Sequence, residues 1–157
     1  MKPKTKFVEL ERGSDIFLSI ARVFVNPVNC LGISGKGLAK EYKIRYPEIV
    51  KEYERYCKAG KLRPGELFTV DTRLLAKMSH IVFLATKDDW RNESKIEYVR
   101  NGLINLRQFM IDNNEYFVAI PAIGAGLGKL TWNEVREEIY KQFDGFDGII
   151  EIYPPYF

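Results

Sequence analysis

Tyr116-Phe117-Val118-Ala119-Ile120-Pro121-Ala122-Ile123-Gly124-Ala125-Gly126-Leu127-Gly128-Lys129-Leu130-Thr131-Trp132-Asn133-Glu134 runs from an unbroken apolar stretch, through a glycine-rich turn, to a helix start. A continuously apolar strand, unlike an alternating one, is covered on both faces. Thr131 followed three residues later by Glu134 is a capping box, and Val135, Ile139 and Phe143 supply the apolar stripe of the helix it opens.

The same strand–turn–helix order recurs along the chain. Strands are expected at Lys6–Leu10, Arg22–Asn26, Leu67–Val70, His80–Thr86, Tyr116–Pro121 and Ile149–Tyr153. Pro47 opens a helix that Gly60 closes after Lys58, with Ile49, Val50, Tyr53 and Cys57 on its apolar face. Ser94-Lys95-Ile96-Glu97 matches a second capping box, followed by Val99, Leu103, Leu106 and Met110. Strands alternating with amphipathic helices predict a three-layer α/β/α domain, a single unit over residues 1–157, around a mixed and mostly parallel sheet. In such folds ligands bind where the carboxyl ends of strands turn into helices.

Two of those turns are rich in glycine. Besides residues 121–130, Val25-Asn26-Pro27-Val28-Asn29-Cys30-Leu31-Gly32-Ile33-Ser34-Gly35-Lys36-Gly37-Leu38 leads from a strand into a helix. Without Cβ atoms, successive N–H groups can converge on an anion, helped by the field of a helix N-terminus. Two such loops on neighbouring strands suit a diphosphate held from both sides. The familiar nucleotide fingerprints do not fit. G-x-G-x-x-G fails at Lys40 and at Lys129, and a Walker loop fails because neither Lys36 nor Lys129 precedes Ser or Thr.

Composition narrows the chemistry. The chain has 157 residues, 46% hydrophobic and 29% charged, which is enough to build one ordinary core. A net charge of +3 suits an anionic ligand and falls short of a dedicated DNA-binding stripe. One histidine, His80, and two cysteines, Cys30 and Cys57, are too few for the usual zinc site, so neither a metal nor a cofactor is expected. His80 at a strand start and Cys30 within the first loop read as structural. The basic N-terminus leads into no apolar run and no stretch approaches the roughly 20 residues of a membrane helix, so a cytoplasmic chain with reduced thiols and no membrane contact is expected.

Val25-Asn26-Pro27-Val28-Asn29 with the following Gly-x-x-Gly-Lys-Gly-Leu-Ala, together with Pro121-Ala122-Ile123-Gly124-Ala125-Gly126-Leu127-Gly128, resembles the two ligand loops of macrodomains, which bind ADP-ribose. Asp15-Ile16 stands where that family carries its adenine-reading acid, although Ser14 replaces the usual glycine before it. Thr86-Lys87-Asp88-Asp89-Trp90-Arg91 with Ser94, and Arg45-Tyr46-Pro47-Glu48 with Arg63-Pro64-Gly65, resemble a narrower group. It comprises the DarG-type antitoxin macrodomains, which remove ADP-ribose from thymidine in DNA, and the terminal ADP-ribose glycohydrolases, which act on acidic protein side chains.

The resemblance implies ADP-ribose contacts at Asp15, Ile16, Asn26, Gly35, Lys36, Gly37, Leu38, Pro121, Ile123, Gly124, Ala125, Gly126, Leu127, Gly128 and Tyr153. Asn26 is expected to act mainly through the backbone of its own loop. Lys87 and Asn29 are the catalytic candidates, Asn29 by bonding the distal ribose. Two roles are open to Lys87: polarising the ribose or the scissile linkage, or attacking a ring-opened aldehyde as an amine. Protein-directed relatives carry an aspartate where this chain has Gly128, which favours a DNA substrate and polarisation. Trp90 and Arg91 are candidates to contact the attached base.

The expected partners are ADP-ribosylated substrate, single-stranded DNA and a toxin, with the chain a monomer. The competing expectations are a phosphatase of ADP-ribose 1″-phosphate and a non-catalytic ADP-ribose reader.

Overall fold

A computed structural model describes residues 3–156. Strands β1 (Lys6–Glu9), β2 (Val23–Val28), β3 (Leu67–Asp71), β4 (His80–Ala85), β5 (Phe117–Ile120) and β6 (Ile149–Ile152) form one sheet in the order β1-β6-β5-β2-β4-β3. Every pairing is parallel except β3 with β4. Helices α1 (Gly37–Arg45) and α2 (Pro47–Lys58) lie against one face, and α3 (Ile96–Asp112) and α4 (Trp132–Gln142) against the other. This is the expected three-layer α/β/α arrangement with a mixed, mostly parallel sheet.

Alternation along β2 and β4 sends side chains to two cores. Phe24, Val28, Ile81, Phe83 and Ala85 join Tyr42, Ile49, Val50 and Tyr53. Val23, Val25, Val82 and Leu84 join Val99, Leu103, Leu106, Val135 and Ile139 on the other side. Tyr53 stacks on Phe83 at 4.9 Å with the rings 5° from parallel. Fully burying side chains of this size stabilises by about 1.5–3 kcal/mol each.

β2 runs two residues beyond the expected Asn26 and takes in Pro27. It pairs with β5 only at Val23 and Phe24, yet with β4 along its whole length. A proline lacks an N–H, and it is accommodated here because the strand has already parted from β5. The parting also opens a crevice between the ends of β2 and β5. Their following helices lie on opposite faces of the sheet, which makes this the switch point where open α/β sheets bind ligands.

The two capping boxes end differently. At Thr131 both halves form, with the Glu134 N–H donating to the Thr131 hydroxyl at 3.3 Å. At Ser94 the box does not form. The N-cap is Lys95, without a side-chain bond, because the Ser94 N–H donates to the Gly128 carbonyl at 3.0 Å. Ser94 therefore belongs to the second glycine loop. Among the described residues no helix is long and apolar enough to cross a membrane.

Candidate functional site

Three loops meet at the crevice, after β2, β4 and β5. The Cys30 N–H donates to the Asp88 carbonyl at 3.1 Å, joining the first two. The Lys87 ammonium donates to the Leu127 carbonyl at 3.2 Å, joining the second and third. Leu127 reaches across to the first: a Cβ built on Gly37, which has φ of +59°, would lie 3.1 Å from its Cδ1. Both glycine loops thus face one cleft and touch.

Their N–H groups are largely unspent. In the second loop Ile123, Ala125, Lys129 and Leu130 donate within the turn, whereas Gly124, Gly126, Leu127 and Gly128 donate to no other group among the described residues. In the first loop Gly35, Lys36 and Gly37 are likewise without a protein acceptor. Backbone donors left open at a helix N-terminus and a turn of this type constitute an anion cradle. Gly35 and Gly126 have nothing within 4 Å of a would-be Cβ, so their Cα atoms face open space.

Gly128 is different. A Cβ there would lie 2.2 Å from the Ser94 hydroxyl oxygen and 2.5 Å from the Gly124 carbonyl. No side chain fits, and a carboxylate from this position is sterically excluded. Ser94 is buried, and its hydroxyl has no partner among the described residues.

The two asparagines sit differently from expectation. Asn29, rather than Asn26, organises the loop backbone. Its Oδ1 accepts from the N–H groups of Leu31 at 3.0 Å and Ile33 at 3.2 Å, and its Nδ2 donates to the Ile33 carbonyl at 2.8 Å. The buried Tyr53 hydroxyl supports the same residue, donating to the Asn29 carbonyl at 2.7 Å. One hydrogen of the Asn29 amide stays unspent. Asn26 is wholly buried in β2, and neither of its amide atoms has a partner among the described residues.

Lys87 is half-buried two residues beyond β4. Its ammonium is held below the usual lysine range, first by burial and then by the nearby Lys129 charge. Cys30 donates its thiol proton to the Lys87 carbonyl at 3.3 Å, and burial pushes the thiol up to about 12, so it packs the loop as an inert group. Trp90 is 49% exposed beyond Lys87, with the Arg91 guanidinium 5.6 Å from its ring centre and paired with Asp89 at 2.5 Å. Lys36 and Leu38 open α1, Lys36 exposed and Leu38 packed on the α1/α2 core. His80 packs edge-on against Phe109 at 5.2 Å, away from the cleft loops.

At the far end of the site, Asp15 caps the 3-10 turn Ile16–Leu18 by accepting from the Phe17 N–H at 2.9 Å. Asp15 and Tyr153 line a hollow of about 370 Å³ with Ser14, Ser19 and Glu151. The Tyr153 N–H donates to the Ile120 carbonyl at 2.9 Å, which ties this hollow to the start of the second glycine loop. Pro121 and Gly124 are buried in that loop, while the side chains of Ile16 and Ile123 are buried in opposite cores, which leaves only main-chain groups of these residues able to face the cleft. Glu151 was not singled out by sequence. Its place two residues before Tyr153, hence on the same face of a strand, is the signal that locates it.

Fold and cleft together define an α/β domain with open backbone donors from two glycine loops at a sheet switch point. The Macro domain family profile matches residues 25–139, and the chain belongs to that family. It is 39% identical over 146 residues to the DNA ADP-ribosyl glycohydrolase of Mycobacterium tuberculosis, covering 91% of this chain and 41% of that protein. The chain therefore spans about two-fifths of the length of that curated relative. In structure it is similar to the macrodomain of Mycobacterium tuberculosis DarG, with TM-score 0.89, 36% identity and coverage of 98% and 99% of the two chains. It is also similar to Thermosipho africanus DarTG in complex with ADP-ribose, with TM-score 0.85, 25% identity and coverage of 96% and 42%.

Proposed function

We propose that this chain is an ADP-ribosyl glycohydrolase that frees ADP-ribose from a modified macromolecule, with an ADP-ribosylated DNA base as first choice. One observation carries the reading: two touching glycine loops present seven unspent N–H groups to a cleft whose edge is closed by a half-buried lysine. A charge-assisted hydrogen bond contributes about 1.5–3 kcal/mol, so a few such donors reach the ~8 kcal/mol of a micromolar ligand. The similarity to proteins named DNA ADP-ribosyl glycohydrolase supports the reaction, and the exclusion of any side chain at Gly128 supports the DNA branch.

In this reading the diphosphate occupies the cradle of Gly35–Gly37 and Gly124–Gly128, and the adenosine end lies toward Asp15 and Tyr153. Asn29, with its remaining amide hydrogen, orients the distal ribose. The bond from the ribose anomeric carbon to the base nitrogen breaks heterolytically through an oxocarbenium-like state. Water adds to that carbon, and the base nitrogen regains a proton. Lys87, as the ammonium, places positive charge and a donor beside the departing base, which takes the electron pair of the broken bond. Trp90 and Arg91 receive the base and its neighbours in the strand. Single-stranded DNA, a transferase toxin that installs the modification, a cytoplasmic location and a monomeric state belong to the same proposal.

The test is release of ADP-ribose from an ADP-ribosylated single-stranded oligonucleotide, with ADP-ribosylated protein and ADP-ribose 1″-phosphate in parallel. Release from the oligonucleotide is the expected result. Phosphate release alone assigns a phosphatase, and binding of ADP-ribose without any turnover assigns a reader.

A further inference from the structure

The hollow at the adenosine end holds two carboxylates and no cation among its lining residues. Asp15 Oδ1 accepts from the Phe17 N–H at 2.9 Å, and Oδ2 has no partner among the described residues. Glu151 is held by two hydroxyls on a single oxygen: Ser19 and Tyr153, the latter at 3.0 Å, both donate to Oε1. Its Oε2 has no hydrogen-bond partner among the described residues. Ser19 is itself fixed, because its oxygen accepts from the Ala21 N–H at 3.0 Å, which directs its hydroxyl proton toward Glu151. Glu151 sits in a sheet interior, in register with Val8 on β1 and Ala119 on β5, so the carboxylate stands on a rigid floor. Asp15 and Glu151 line the same hollow, and the turn that Asp15 opens is closed by Ser19, whose hydroxyl holds Glu151.

We propose that Glu151 is a second base-reading residue, and that its free oxygen and that of Asp15 each accept one hydrogen of the exocyclic amine of a 6-aminopurine. The proposal rests on the ADP-ribose reading above and names what that site selects. An ionised carboxylate is acceptor-only, so two of them facing one group demand a donor with two hydrogens. A 6-oxopurine would turn an oxygen toward both, leaving two desolvated acceptors unpaired and lone pairs opposed. The same two charges repel phosphate, which directs the diphosphate to the glycine loops instead.

The experiment is calorimetric titration of the chain with ADP-ribose and with its hypoxanthine analogue, for wild type, Glu151→Gln and Ser19→Ala, with a melting temperature for each. Wild type is expected to prefer ADP-ribose by about tenfold or more, the range in which unpaired buried acceptors discriminate. In Glu151→Gln the amide can turn a donor to the oxo group, so binding of the hypoxanthine analogue should strengthen and the preference shrink to a few-fold. A misfolded variant cannot gain a ligand in this way. Ser19→Ala keeps the charge but removes one of its two anchors, and its preference should fall between the two. Equal binding of both ligands by wild type, or a preference unchanged in Glu151→Gln, overturns the proposal. Absence of any ADP-ribose binding by folded wild type overturns the functional reading itself and this inference with it.

Discussion

The Lys87 ammonium and the Leu127 carbonyl, 3.2 Å apart, tie the end of β4 to the tip of the second glycine loop. Leu127 in turn packs over Gly37 of the first loop. The proposed catalytic charge is therefore fixed by the same turn that presents the anion-binding N–H groups, and binding and chemistry share one support.

That coupling is separable by mutation. The cradle is main chain, so Lys87→Ala should leave ADP-ribose affinity within a few-fold of wild type. Release from an ADP-ribosylated oligonucleotide should fall by about a hundredfold or more, the scale of losing one preorganised donor in a transition state. Lys87→Arg keeps the charge without a nucleophilic amine. Retained turnover in that variant assigns polarisation, and complete loss assigns attack by the amine.

The pH profile carries the second prediction. Burial and then Lys129 lower the proton affinity of Lys87. If the ammonium is the working form, turnover is full below its lowered pKa and falls as pH rises through it. Lys129→Ala removes one of the two causes, so the Lys87 pKa rises and the alkaline limb of kcat should move to higher pH. An unmoved limb would detach that limb from Lys87.

Sheet, layers and both glycine loops were legible because each depends on local pattern: apolar runs, glycine clusters and helix starts. What stayed hidden depends on partners distant in sequence. Ser94-Lys95-Ile96-Glu97 and Thr131-Trp132-Asn133-Glu134 are equivalent as strings, yet only the second becomes a cap, because Gly128 claims the Ser94 N–H. Asn29 and Asn26 are likewise equivalent as strings. Tyr53, from α2, supports the first, and among the described residues no group bonds the amide of the second.

The contrast between those boxes is measurable as stability. Thr131→Ala should cost about 1 kcal/mol, the usual value of a formed N-cap. Ser94→Ala removes a hydroxyl without a hydrogen-bond partner among the described residues, so its cost should stay within about 0.5 kcal/mol. Denaturant unfolding of both variants gives the two numbers directly.

If Trp90 receives the attached base as proposed, its loss should tell substrate from product. The residue is 49% exposed, three positions after Lys87 in sequence, and no hydrogen bond joins it to the glycine cradle among the described residues. Base–aromatic stacking contributes about 1–3 kcal/mol, so Trp90→Ala should lower kcat/KM on an ADP-ribosylated oligonucleotide about tenfold or more. Affinity for free ADP-ribose should not change. Equal losses for both ligands would mean that Trp90 supports the loop rather than the strand.

Two glycines in very different surroundings give the sharpest test of the cradle. Gly126 has φ outside the left-handed region and nothing within 4 Å of an added Cβ, so Gly126→Ala should fold with a stability change of less than about 1 kcal/mol. Its methyl group, however, enters the space assigned to the diphosphate, and ADP-ribose affinity should drop by about tenfold, the weight of a single lost charge-assisted bond. At Gly128 the added atom meets the Ser94 oxygen at 2.2 Å and the Gly124 carbonyl at 2.5 Å, and the latter is main chain that cannot step aside. Gly128→Ala should therefore destabilise the fold by about 1–3 kcal/mol and weaken binding through distortion of the loop. Thermal melting and titration of the two variants distinguish the cases: affinity lost at constant stability for Gly126, both lost together for Gly128. Unchanged affinity in a folded Gly126→Ala protein would move the diphosphate out of this loop.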